Sequence, residues 1–144
     1  MNFILILVLT CSLVEAQQVN KKWARIGLIT SSIILNAVGD GLYDDGHKLA
    51  AKSFRVASIG SLLAIPVLSG PVGKRKVFKY ALSYGLMRFA LFDITYNATR
   101  RLPLNYVGTT SLQDIMIGGQ PALMISTMRL TSIWISIELN NKTL

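Results

Sequence analysis

A single cysteine, Cys11, rules out a disulfide within the chain and any metal site built on paired thiolates. The single histidine, His47, gives little for zinc, which asks for several nitrogen or sulfur ligands. Acidic residues are scarce as well: seven Asp and Glu stand against fifteen Lys and Arg, for a formal net charge of +8. Aromatic residues make up 8% of the chain. Nucleic-acid binding needs a basic face with stacking aromatics; none is visible in the sequence, and no nucleic-acid partner is expected. No Gly-x-Ser-x-Gly elbow, Gly-rich phosphate loop or His-Glu-x-x-His pair occurs, so the sequence nominates no catalytic residue and no cofactor.

What the chain has in abundance is apolar surface. Its 144 residues are 51% apolar, with a mean hydropathy of +0.47, which is high for a protein that must present a polar surface all round. The basic residues sit mainly between apolar stretches, as in membrane proteins. Residues 3 to 14 form an apolar run, and Val14-Glu15-Ala16 resembles a small-x-small cleavage site. Residues 1–16 are thus expected to be a cleaved signal peptide, with an uncleaved N-terminal anchor as the alternative. Residues 17–144 are expected to form one helical membrane domain. The fold class expected is all-α, a multi-pass transmembrane helical bundle of three to four spans.

Ile26 to Gly39, extended to Tyr43, makes the first span, and the Gly and Asp content of Asp40 to Gly46 predicts a turn. Val56 to Gly73 is the second, with Pro66 and Pro71 expected to kink or stop it. Its small residues Ala57, Gly60, Ser61 and Ala64 predict an inner helix that neighbours approach closely. Val77 to Tyr96 is the third stretch, Leu102 to Gln113 a loop, and Ile115 to Ile137 the fourth stretch, with Trp134 as an interfacial anchor.

Charged and polar side chains within these stretches are the candidates for function. Ser32, Asn36 and Asp40 recur every four residues, a stripe too costly to face lipid; it lines a polar path or bonds to another helix. Arg88, Asp93, Asn97 and Arg129 join them as polar-interior candidates, with Asp40 a partner for Arg88, and Asp93 for Arg129 or Arg101. Asp40, Asp44, Asp45 and His47 gather oxygen ligands that a hard cation could use, although an EF-hand pattern is missing. The same Asp-Gly opening resembles that of the CDP-alcohol phosphotransferase signature, but the signature's Ala-Arg pair and spaced aspartates are missing. Asn97-Ala98-Thr99 and Asn141-Lys142-Thr143 match the glycan acceptor sequon.

Lys74, Arg75, Lys76 and Lys79 form the densest basic patch and are expected to meet anionic lipid headgroups, at about 1 kcal/mol per cation near such a surface. The function expected is that of a small, non-enzymatic accessory or structural component of a membrane, with a membrane-protein partner or a second copy of itself. A small transporter or channel using the charge-paired interior is the alternative, and a lipid-modifying membrane enzyme comes third.

Overall fold

The computed structural model describes residues 21–69, 73–107 and 112–141, which are helical apart from their connections. The helices are α1 (Lys21–Asp44), α2 (Lys48–Ser69), α3 (Lys74–Thr99), the short α4 (Leu112–Ile117) and α5 (Ala122–Asn141). The segment at residues 1–16 lies outside the described residues. Three helices, Lys21–Asp44, Lys48–Leu68 and Ala122–Asn140, are long and apolar enough to cross a membrane. At 1.5 Å per residue, helices of this size run about 30–36 Å, the thickness of a bilayer core. α3 is longer still at 26 residues, but carries Lys74, Arg75, Lys76, Lys79, Arg88 and Asp93.

α1 is the hub. It packs against α2 on one side and α3 on another, and α3 in turn carries α5. Ile26, Ile29, Ile33 and Ala37 of α1 recur at three- and four-residue spacing and are buried, so one apolar stripe faces the bundle. Ile29, Ile33 and Met87 of α3 join Ile65 of α2 in one core, with Tyr80, Tyr84, Leu91 and Ile133 packed around them.

Helix directions follow from contacts along their lengths. Arg25 and Tyr80, near the starts of α1 and α3, stack at 5.5 Å, whereas Gly41 and Thr99 meet near their ends. The two helices are therefore parallel, and the basic residues at both starts share one end of the bundle. α2 and α5 run the opposite way, since Asp40 meets Arg55 across the α1–α2 hairpin and Ser83 of early α3 meets Ser136 of late α5.

The expected turn at Asp40 to Gly46 is shorter than the composition indicates, because α1 continues through Asp44. Its end is a left-handed cap: Gly46 has φ +87, its N–H bonds the Tyr43 carbonyl, and the His47 N–H bonds the Leu42 carbonyl. α3 ends by the same device with Arg101 at φ 55, the Leu102 N–H returning to the Asn97 carbonyl. Pro66 sits inside α2, which runs on to Ser69, so it does not end the helix as expected. Pro71 is not among the described residues. The fourth stretch is also not one helix. α4 closes at Ile117, Gly118 and Gly119 turn the chain, and α5 begins after Pro121.

α2 is not the inner helix its small residues predict. Gly60 is exposed and no atom would meet a Cβ there within 4 Å, while Leu49, Val56, Ile59, Leu63 and Val67 also face outward. The close approach lies elsewhere: a Cβ on Gly41 would come within 2.8 Å of Thr99 Cγ2 and 2.9 Å of its Cβ. Gly41→Ala is accordingly expected to cost about 1–2 kcal/mol by overpacking, and Gly60→Ala to stay within about 0.5 kcal/mol of the parent or slightly above it. Thermal denaturation in detergent reads the difference, and equal melting temperatures would mean that α1 and α3 do not touch at Thr99.

Candidate functional site

The polar side chains inside the bundle sit in seams between helices. In the α1–α2 seam, Ser58 Oγ donates to the Ser32 carbonyl at 2.8 Å and the two hydroxyls lie 3.0 Å apart. In the α3–α5 seam, Ser136 Oγ donates to the Ser83 carbonyl at 3.0 Å and the two hydroxyls approach to 2.7 Å. Asn140 Nδ2 completes that cluster, donating to Ser83 Oγ at 2.6 Å and to the Ser136 carbonyl at 2.9 Å. All five side chains are buried. Of these, the sequence marks only Ser32. Ser58, Ser83, Ser136 and Asn140 carry no motif, and only a fixed helix register could have singled them out.

The stripe of α1 does not stay on one face. A four-residue step falls 40° past a full turn, so residues at this spacing drift around the helix. Ser32 and Asp40 accordingly meet α2 while Asp44 meets α3. Asn36, between them, is half-buried. Arg55 Nε and NH2 both grip Asp40 Oδ1, at 2.9 and 2.7 Å. This corrects the expected pairing of Asp40 with Arg88, whose guanidinium instead lies 3.9 Å over the Phe92 ring. Both belong to α3 one turn apart, a spacing at which side chains meet.

Asp93 pairs with Arg129, at 3.3 Å between Oδ2 and NH2, with side-chain exposures of 18% and 8%. The pair is largely buried between α3 and α5. Arg129 Nε is also buried and finds no acceptor among them. Asn97 is buried too, but its amide donates to the Tyr106 carbonyl at 2.8 Å and pins the connection after α3. It is a loop clamp. The side chain of Asn141 is not described.

The acidic end of the hairpin is occupied by arginine and tyrosine. Tyr96 Oη donates to Asp44 Oδ2 at 2.5 Å and accepts from Arg100 at 3.0 Å, while Arg100 Nε reaches Asp45 at 3.3 Å. The hydrogen bond that Arg100 donates to Tyr96 holds the Arg100 pKa above its already high ordinary value. Among the described residues no three metal-ligating side chains converge. Asp40, Asp44 and Asp45 thus serve as partners of Arg55 and Arg100, His47 stands exposed at the turn, and the expected cation cluster is not assembled. Lys74, Arg75 and Lys76 are exposed at the start of α3, and Lys79 is half-buried.

No family model matches the chain, and no curated protein or solved structure matches it either.

Removing Arg129 would take the paired cation from a largely buried carboxylate, so Arg129→Leu is expected to cost about 3 kcal/mol. Arg88→Leu loses a cation–π contact on a half-buried side chain and should cost about 1 kcal/mol or less. Asp93→Leu with Arg129→Leu should regain most of the loss. Urea titration in detergent compares the three, and an equal cost for both arginines would remove the Asp93–Arg129 pair from the account.

Proposed function

We propose that this chain is an integral membrane protein whose four long helices cross the bilayer, and that it serves as a non-enzymatic structural or accessory component there. One observation carries the reading, the reversal of polarity between inside and outside. Serine, asparagine and an Arg–Asp pair are buried between helices, while Val67, Leu49, Leu123 and Leu130 project outward with exposures of 82, 80, 80 and 68%. Such a surface is costly in water and suits hydrocarbon. α3, too charged to be chosen by composition, crosses with its carboxylate matched by Arg129. The buried hydroxyls and amides are spent on holding helices to one another, which supports an architectural use for them.

A small transporter is the second reading, favoured by the buried Arg129 Nε that lacks an acceptor among the described residues. The expected outcome for the leading reading is retention in the membrane fraction through carbonate at high pH, since apolar spans are not held by charge. Release into the supernatant would end the membrane reading. In vesicles, the purified chain should give chloride, potassium and proton fluxes no greater than protein-free vesicles. A flux abolished by Arg129→Gln would replace the accessory reading with transport.

A further inference from the structure

We propose that the end of the bundle built from the starts of α1 and α3 is a docking surface for the phosphates of anionic phospholipids. This inference rests on the membrane reading above and adds a partner to it. Parallel packing of the two helices, seen in the stacking of the buried Arg25 on Tyr80, brings Lys21 and Lys22 to the same end as Lys74, Arg75, Lys76 and Lys79. The patches are far apart in sequence, so the surface exists only in the folded bundle. Neither helix has an acidic residue in its first turn. The cations therefore add to the positive ends of two helix dipoles, where carboxylates would have offset them. Among the described residues, Glu138, near the end of α5, is the carboxylate that the fold brings to this end. At the opposite end Asp40, Asp44 and Asp45 already hold Arg55 and Arg100.

What distinguishes a lipid surface from a soluble polyanion is the apolar company of these cations. Trp23, Val77 and Phe78 are exposed directly beside them, and Lys22 Nζ lies 4.5 Å over the Trp23 ring. Aromatic side chains at the headgroup boundary with basic residues at the phosphates match a bilayer interface in both chemistries at once. A nucleic acid or an acidic protein would satisfy the cations and leave Val77 and Phe78 in water.

The test uses the full chain in bilayer discs of phosphatidylcholine containing a spin-labelled phosphatidylglycerol probe, with spin-labelled phosphatidylcholine as reference. The probe should be enriched at the protein about tenfold over the reference, and Lys74→Gln, Arg75→Gln, Lys76→Gln and Lys79→Gln together should bring this to within about twofold. Lys48→Gln with Lys52→Gln, at the other end, should leave the enrichment in place. No enrichment in the parent, or enrichment that survives the fourfold change, overturns the inference. Displacement of the probe by a short oligonucleotide would also overturn it, by assigning the surface to a soluble polyanion. A chain that does not enter the discs at all overturns the membrane reading with it, whereas one that enters without lipid preference overturns this inference alone.

Discussion

Contacts between buried polar groups on neighbouring helices are what the rest of this bundle depends on. Large apolar side chains are divided between a modest core around Ile29, Ile33 and Met87 and a broad outward surface. If lipid meets that surface, it solvates leucine as well as another helix does, and hydrophobic burial gives little reason for helices to associate. The Ser32–Ser58 and Ser83–Ser136–Asn140 seams then supply direction and register, at about 0.6 kcal/mol per bond by measurements in membrane bundles. Small side chains at these positions also bring the backbones close, so that hydroxyls can reach carbonyls of the facing helix.

The ion pairs divide the molecule along its length. Asp93 and Arg129 meet within the bundle, where an unmatched charge would be most expensive. Asp40 with Arg55 lies by the α1–α2 turn, and the Asp44, Asp45, Tyr96 and Arg100 group ties that turn to the end of α3. These latter pairs are partly exposed, so their value is in fixing the hairpin against α3 more than in stability. At the other end the cations of α1 and α3 stand together. The bundle is therefore chemically different at its two ends, as a protein fixed in one orientation across a membrane would be.

The long apolar stretches, the basic patches and a choice of Arg129 or Arg101 as the partner of Asp93 were legible in the sequence, because hydropathy and scarce acidic residues leave few alternatives. Chain direction was also implicit, since two successive crossings would return the chain from the basic patch at Lys21 to the one at Lys74 on the same side. What could not be read depended on rotation about helix axes. Gly60 belongs to a small-residue pattern yet faces outward, whereas Gly41, which looked like part of a turn, packs tightly against Thr99 of α3. Asp40 was legible as a charge at the end of an apolar stretch, but its partner Arg55 was not; only the cap at Gly46 swings it into reach. Serine has no signature that separates a seam from a solvated position, so Ser83 and Ser136 gave no signal.

The central claim is that the outward apolar faces meet lipid while the polar seams stay closed. Nitroxide labels at single cysteines replacing Ser58, Ile59 and Leu63, in a Cys11→Ser background reconstituted into vesicles, test it most directly. The account predicts that labels at Ile59 and Leu63 relax readily with molecular oxygen and poorly with a water-soluble nickel chelate, and that the label at Ser58 is shielded from both. Stronger relaxation by the nickel chelate at Ile59 and Leu63 would place that face in water and contradict the account.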